Sequence, residues 1–223
     1  IMIDQNTIEI LQSELLLELG RTFIMVGVST LLGVMIGGLL GLLLYLTSSD
    51  LFFKNKWLNR ITGVIVNMIR SFPYIILLIV LLPLSAVIVG TKIGTAAATV
   101  PLTIAAIAFF ARLAEGAFSE VDRGVLEAAI ASGARLSLIF KDVLFVEALP
   151  GLIRSITITI ISLIGYSAMA GTVGGGGIGD FAIRYGYHRY ELGVMFVTVI
   201  VIIVIVQLIQ WIGDKLAERA MKR

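Results

Sequence analysis

Five long stretches of the sequence are almost entirely apolar, and polar or charged connectors separate them. A helix needs about 20 residues to cross the roughly 30 Å hydrocarbon core of a bilayer, and every backbone N–H and C=O must be bonded within it. The stretches of about that length cover residues 22–46, 61–89, 93–110, 152–170 and 192–212. The pattern therefore predicts an all-α, polytopic membrane protein with five transmembrane helices.

The second stretch is longer than one crossing requires, and it contains Arg70 followed closely by Pro73. Proline interrupts helical hydrogen bonding, and a charged side chain is costly in lipid. We therefore predict a cytoplasmic or interfacial lead-in helix before the true span.

Three glycines in the first stretch, Gly33, Gly37 and Gly41, recur every four residues. This spacing places small residues on one helix face and lets a second helix approach closely. The pattern fits either packing within one subunit or a contact between two copies of the chain.

Composition supports the membrane assignment and limits the chemistry. Hydrophobic residues make up 58% of the chain, against roughly 45 to 50% in soluble proteins. The net charge is only +2, and the basic residues lie in the connectors, where lipid headgroups and topology explain them better than nucleic acid does. The absence of Cys excludes a disulfide and a thiol nucleophile, and a single histidine, His188, cannot form a metal-binding cluster.

The basic residues also predict the orientation, because Lys and Arg are retained on the cytoplasmic side of short connectors. They concentrate after the first stretch, after the third stretch and in the C-terminal tail. These residues are Lys54, Lys56, Arg60, Arg112, Arg123, Arg135, Lys141, Arg154, Lys215, Arg219, Lys222 and Arg223. The N-terminal segment is acidic, with Asp4, Glu9, Glu14 and Glu18. We expect the N-terminus outside and the C-terminus in the cytoplasm.

The connector over residues 112–154 is too long for a simple turn. Asp122 is a suitable N-cap for a helix over 125–132, and Gly133 would end that helix. Apolar residues then recur at helical spacing over 136–144, which predicts a second, amphipathic helix. The first helix, with Glu127 and its neighbouring alanines, would fit a groove in another protein or would anchor the connector at the membrane surface. Periodicity leaves both interpretations open.

Glycine is concentrated again after the fourth stretch, at Gly171, 174–177 and Gly179. Because glycine destabilises a helix, these residues are predicted to form an external loop. The loop would belong to a gate or to a docking surface for a binding protein, or would be only a tight turn between helices. The candidate docking residues are Gly175, Gly176, Arg184 and Tyr187.

The connector and five other segments carry a family resemblance. The order Glu-Ala-Ala at 127–129, three residues, then Gly133 resembles the EAA coupling motif of permease subunits of bacterial ABC importers. Val143 matches the aliphatic residue that follows in that family, whereas 145–146 is Phe-Val where the family has Leu-Pro. The segments 70–78, 100–103, 165–171, 174–179 and 185–187 look most like the methionine-type importers.

The resemblance implies a type I ABC importer permease fold, with residues 1–223 as one permease domain and cytoplasmic coupling helices at about 122–145. It implies a homodimer in the bacterial inner membrane that works with two cytoplasmic ABC ATPase subunits and an extracytoplasmic substrate-binding lipoprotein. ATP and Mg would bind to the ATPase subunits, so this chain would hold no cofactor and would not be an enzyme. The implied function is import of D- or L-methionine, or a closely related amino acid, by alternating access. The implied ATPase-coupling residues are Glu127, Ala128, Ala129, Gly133 and Ala134.

The fourth stretch contains candidate pathway or gate residues, Tyr166, Ser167 and Met169. They combine hydrogen-bonding groups with soft apolar surface, which a pathway for a zwitterionic amino acid requires. The alternative for each residue is ordinary bundle packing, with Ser bonded to a backbone carbonyl of the preceding turn and Met filling a gap. The resemblance favours the pathway for Tyr166 and Met169.

An ion-coupled secondary amino-acid transporter is the alternative function. Such carriers usually keep ionisable residues within the membrane, and the first, fourth and fifth stretches have no charge at their centres. No filter-like motif indicates a channel. The sequence has no G-x-x-x-x-G-K-[ST] phosphate loop, so ATP hydrolysis would require another polypeptide.

Overall fold

The computed structural model describes residues 5–222, and all regular secondary structure in that range is helical. Asp4 and Arg223, two of the charged residues on which the predicted orientation depends, lie outside this range. The helices are α1 (Gln5–Ser48), α2 (Lys56–Ser71), α3 (Tyr74–Val89), α4 (Thr95–Ser119), α5 (Arg123–Ala131), α6 (Leu136–Leu138), α7 (Phe145–Gly171), α8 (Ile178–Phe181) and α9 (Leu192–Met221). Two π-helical segments, Ile139–Leu144 and Ala182–Tyr187, follow α6 and α8.

Four helices of the described chain are long and apolar enough to span a membrane, and a bent pair provides a fifth. The four are α1, α4, α9 and the joined helix Leu136–Gly171. The pair is α2 with α3, which meet at an angle of 107°. The prediction of five spans, the second bent, is therefore confirmed.

The break between α2 and α3 follows from Pro73. Phe72 has an extended backbone, with φ −78° and ψ 135°, which is the conformation that a following proline favours. Helix α2 begins behind Asn55, whose side chain accepts a hydrogen bond from the Leu58 N–H. A separate helix, α2, thus precedes the break, and its cytoplasmic or interfacial position stays a prediction.

The glycine stripe of α1 packs against α4 within the chain. A Cβ added at Gly33 would lie 2.8 Å from the Ala106 Cβ, and one at Gly37 would lie 2.6 Å from the Ile107 carbonyl oxygen. Small residues at such an interface let helix backbones approach closely in lipid, where hydrophobic burial contributes little. Packing within one subunit is therefore the correct interpretation of this spacing.

The amphipathic helix predicted over 136–144 does not stand apart from the fourth span. Helix α6, the π-helical segment and α7 form one continuous helix of 36 residues, Leu136–Gly171. Residues 145–146 are Phe-Val and contain no proline to interrupt the helix, and Pro150 lies inside α7 without ending it. The connector is therefore rigidly joined to the membrane span.

The connectors group at the two ends of the bundle. At one end, Phe52 contacts Phe140 with ring centroids 5.2 Å apart, and the Arg154 guanidinium reaches the Met221 sulfur at 3.6 Å. At the other end, Glu18 bonds to the loop at Gly177. The basic connectors and the tail therefore lie together, opposite the acidic start of α1.

Replacing Gly37 by alanine tests the α1–α4 contact. The added Cβ cannot fit 2.6 Å from the Ile107 carbonyl oxygen, so α1 must shift, and overpacking of this kind costs about 1–3 kcal/mol. We expect Gly37→Ala to lower the melting temperature of the detergent-solubilised protein by several degrees. Gly27→Ala is the control, because nothing lies within 4 Å of its Cβ position. Equal melting temperatures for the two variants would contradict the packing.

Candidate functional site

Helix α5 lies on the surface of the connector end and is held by one buried side chain. Asp122 caps it by accepting a hydrogen bond from the Val125 N–H at 3.1 Å, as the sequence predicts. Gly133 follows its end with a φ of +76°, a conformation that favours glycine. Leu126 is 1% exposed and packs in a cluster with Ile139 and Leu144, which start the long helix. Helix α5 is therefore packed directly against the start of the long helix.

The five predicted coupling residues divide between two faces of this segment. Glu127, Ala128 and Gly133 are exposed. Ala129 and Ala134 are partly buried and pack against the cluster around Leu126. The Glu127 carboxylate accepts a 2.7 Å hydrogen bond from the Arg123 Nε. The accessible face therefore presents a carboxylate beside small residues.

The glycine-rich segment is a loop only in its central part. Gly174, Gly176 and Gly177 have positive φ, which explains why glycine is needed there. The prediction of a loop is wrong for Gly171, which is the last residue of α7, and for Gly179, which lies in α8. A Cβ at Gly179 would lie 2.1 Å from the Ala168 Cα, so close approach of α7 and α8 accounts for this glycine. Tertiary contact outweighs the low helix propensity of glycine at these positions.

A buried carboxylate ties α1 to this loop. Glu18 is 1% exposed. Its Oε2 accepts a 2.7 Å hydrogen bond from the Gly177 N–H, and its Oε1 accepts bonds from Arg21 at 2.8 Å and Arg184 at 3.1 Å. One turn further on, the Thr22 hydroxyl oxygen accepts a hydrogen bond from the Ile178 N–H at 2.8 Å. These hydrogen bonds offset the free-energy cost of burying the Glu18 carboxylate.

Two further carboxylates complete this cluster. Arg184 lies 3.2 Å from Glu14 and 3.3 Å from Asp180, in addition to its contact with Glu18. Burial raises the pKa of Asp180, although the neighbouring Arg184 opposes that shift. We call Glu14, Glu18, Arg21, Asp180 and Arg184 the loop clamp. It holds the N-terminal part of α1 against the segment that follows α7.

The predicted docking residues therefore have unequal access to a partner. Gly175 is buried, and a Cβ added there would lie 2.7 Å from the Ala170 carbonyl oxygen. Gly176 is partly buried, and a Cβ added there would lie 3.3 Å from the Arg21 Cδ of the loop clamp. Arg184 is half-buried in its ion pairs. Tyr187 is 67% exposed. Of these four residues, Tyr187 alone presents most of its side chain on the surface.

The loop clamp is a feature that the sequence interpretation missed. In the sequence, Glu14 and Glu18 served only as part of an acidic N-terminal segment that indicates orientation, whereas in the structure α1 begins at Gln5 and places both in contact with Arg184. Their four-residue spacing, with Arg21 three residues later, places all three near one helix face. That spacing was the available signal for a charge cluster.

The predicted pathway residues also differ in their surroundings. Tyr166 stacks on Tyr74, with ring centroids 4.7 Å apart and an angle of 10° between the planes. Met169 is 43% exposed. Ser167 is 1% exposed and donates a hydrogen bond to the Ile164 carbonyl at 2.8 Å. Tyr166 and Met169 thus reach accessible space, whereas Ser167 has the geometry expected of bundle packing.

Comparison with known proteins gives consistent matches over almost the whole chain. Residues 22–222 match the family model described as binding-protein-dependent transport system inner membrane component. The chain is 50% identical over 214 residues to a probable D-methionine transport system permease protein, MetI, of Vibrio cholerae, covering 96% of this chain and 95% of that protein. It is 44% identical over 195 residues to a probable D-methionine transport system permease protein, MetI, of Haemophilus influenzae, covering 87% of this chain and 92% of that protein. It is also 44% identical over 181 residues to the methionine import system permease protein MetP of Bacillus subtilis, covering 81% of this chain and 82% of that protein.

A solved structure has the same fold. It is the MetNI methionine ABC transporter in an inward-facing conformation, and the matched chain has a TM-score of 0.91 and 41% sequence identity. The match covers 98% of this chain and 99% of that one.

Replacing Glu18 by glutamine tests the loop clamp. The neutral side chain weakens the charge-assisted hydrogen bonds that Glu18 accepts from Arg21, Arg184 and the Gly177 N–H, and one such bond is worth about 1.5–3 kcal/mol. We expect Glu18→Gln to lower the melting temperature and to speed hydrogen exchange at the amides of Gly177 and Ile178, measured by mass spectrometry. The matched control is Glu9→Gln, an exposed site on the same helix. Unchanged exchange at the loop in Glu18→Gln would refute the clamp.

Proposed function

Because this chain belongs to the family of binding-protein-dependent transport system inner membrane components, we propose that it is the permease subunit of an ATP-driven importer of D- or L-methionine or a closely related amino acid. The main support is its likeness, over nearly its full length, to methionine transport permeases and to a methionine ABC transporter. The substrate moves through the bundle by alternating access, in which the pathway opens to one side of the membrane at a time.

The energy for transport comes from a separate subunit. The sequence lacks the phosphate loop that would hold ATP, so ATP and Mg bind to an ATPase partner and this chain is not itself an enzyme. The assembly contains two copies of this permease, two cytoplasmic ATPase subunits and an extracytoplasmic binding lipoprotein. It lies in the bacterial inner membrane.

The orientation follows from the grouping of the connectors. The basic connectors and tail, which lie at one end of the bundle, face the cytoplasm, where Lys and Arg are retained. The loop clamp and the N-terminus lie at the opposite, external end. This arrangement places α5 where a cytoplasmic ATPase can reach it.

Helix α5 transmits the motion of the ATPase. Its exposed face, with Glu127, Ala128 and Gly133, docks in the ATPase, while Leu126, Ala129 and Ala134 hold it to the start of the long helix. That helix, Leu136–Gly171, is about 50 Å long at 1.5 Å per residue and carries Tyr166 and Met169 near its far end. A displacement of α5 is therefore delivered to the pathway by a rigid element.

The external loop receives the binding protein. Among Gly175, Gly176, Arg184 and Tyr187, the exposed Tyr187 makes direct contact, and the other three maintain the shape of the loop. Tyrosine suits this role because it offers a large apolar ring with a hydrogen-bonding end.

Uptake by purified components tests the proposed function. In proteoliposomes containing this chain, its ATPase and its binding protein, we expect radiolabelled methionine to accumulate only when ATP is present. An excess of unlabelled D- or L-methionine should reduce this accumulation. Collapse of ion gradients by an ionophore should leave the uptake unchanged. Uptake by this chain alone, or uptake driven by an ion gradient without ATP, would support the ion-coupled alternative instead.

Glu127→Ala tests the coupling role of α5 in the same preparation. Loss of a charged contact with the ATPase, worth about 1.5–3 kcal/mol, should reduce uptake about tenfold or more relative to the rate of ATP hydrolysis. Glu218→Ala, at an exposed glutamate near the end of α9, is the control and should transport normally. Normal uptake by an assembled Glu127→Ala importer would exclude the residue from coupling.

A further inference from the structure

One side of α2 is apolar and points away from the bundle. The Asn59 Nδ2 donates a 2.8 Å hydrogen bond to the Leu44 carbonyl of α1, and the Gly63 carbonyl accepts a 3.0 Å bond from Arg112 of α4. These contacts fix the rotation of α2 about its axis. The other side carries exposed apolar residues at helical spacing, which we call the open face of α2: Trp57, Leu58, Ile61, Val64, Ile65 and Met68.

The open face begins at the end of the bundle that carries the basic connectors. The Asn55 N–H, at the cap of α2, donates a 3.0 Å hydrogen bond to the Thr47 carbonyl in the last turn of α1. From there α2 meets α3 at 107°, so α2 does not continue the direction of the apolar span. A helix with one apolar side, set at a large angle to a span, is typical of helices that lie in the membrane interface.

The two tryptophans of the chain mark the depth of this interface. At 1.5 Å per residue, Trp211 lies about 29 Å along α9 from Leu192, close to the roughly 30 Å of a hydrocarbon core. The Lys215 Nζ lies 3.7 Å from the centroid of the Trp211 ring. Trp57, in the first turn of α2, is 77% exposed. Because tryptophan is enriched at headgroup level, both rings suit the same side of the membrane.

Two unpaired cations lie along the edge of the open face. Lys56 and Arg60 are one turn apart, and their spacing places Arg60 beside Trp57 on the helix surface. Both cations are exposed, and neither forms an ion pair within residues 5–222. The nearest acidic residue in the sequence, Asp50, is already paired with Lys54. The edge of the open face therefore presents positive charge without a partner.

We propose that α2 binds anionic phospholipids of the cytoplasmic leaflet. Trp57 and the apolar residues after it lie at the boundary between headgroups and acyl chains, where an amphipathic helix buries its apolar side. Lys56 and Arg60 contact the negatively charged headgroups, since Lys and Arg close to such a surface are attracted to it. The choice of leaflet rests on the proposed orientation, whereas the lipid site rests on the open face and its two cations.

Quenching of Trp57 fluorescence by brominated lipids tests this site. The full chain with Trp211→Phe has Trp57 as its only tryptophan. It is reconstituted in phosphatidylcholine vesicles that contain equal fractions of either brominated phosphatidylcholine or brominated phosphatidylglycerol. We expect both lipids to quench Trp57, and the apparent affinity for phosphatidylglycerol to be about fivefold higher or more, the factor that one Lys or Arg contributes near an anionic surface.

Charge variants show whether the two cations select the lipid. Lys56→Gln combined with Arg60→Gln should abolish the preference for phosphatidylglycerol and leave quenching by phosphatidylcholine unchanged. The matched control is Arg135→Gln combined with Lys141→Gln, which removes the same charge from exposed positions of another basic connector and should retain the preference. In a Trp57→Phe chain, Trp211 reports on the fold, and the Lys56→Gln and Arg60→Gln changes should not alter its quenching.

Three results would overturn the lipid site. Absence of quenching would show that protein, such as a second copy of the chain, covers the open face. Equal affinity for the two lipids, or a preference that survives the loss of Lys56 and Arg60, would show that these cations do not bind the headgroup. The measurement uses neither methionine nor ATP, so its outcome is separate from the success or failure of the proposed transport function.

Discussion

Hydrocarbon offers no hydrogen bonds to a peptide group, and this constraint determines how the chain can move. A span that unwound in the membrane would expose backbone N–H and C=O groups at a cost of several kcal/mol each. The helices must therefore move as rigid bodies, with changes in backbone conformation confined to their ends. In this chain those ends include the Phe72–Pro73 break, the turn at Gly133 and the glycine loop.

The continuous helix Leu136–Gly171 is one such rigid body. Leu126 of α5 packs against its first turns, and Tyr166 and Met169 lie near its last. The helix continues through residues 145–146, where the family has Leu-Pro, so the proposed coupling of α5 to the pathway residues runs through a single helix.

Hydropathy was sufficient to predict the number and order of the spans, because the bilayer requires long apolar helices. The bend at Pro73 and the cap at Asp122 were also predictable, since each depends on residues next to one another in the chain. The loop clamp was not predicted, because Glu18 and Gly177 are 159 positions apart and local sequence patterns do not indicate contacts between such distant residues. For the same reason, the burial of Ser167 and the stacking of Tyr74 on Tyr166 emerge only from the fold.

The distribution of polar contacts indicates which part of the bundle opens. Separating α1 from the glycine loop would expose Glu18 and break its bonds to Gly177, Arg21 and Arg184, which is costly for a buried charge. The loop clamp therefore holds the start of α1 to the segment that follows α7. Between α3 and α7, the contact of Tyr74 with Tyr166 is an aromatic stack, worth about 0.5–1.5 kcal/mol beyond its burial, and the Tyr74 hydroxyl has no partner among the described residues. In the proposed alternating access, we expect this weaker boundary to separate before the one held by the loop clamp.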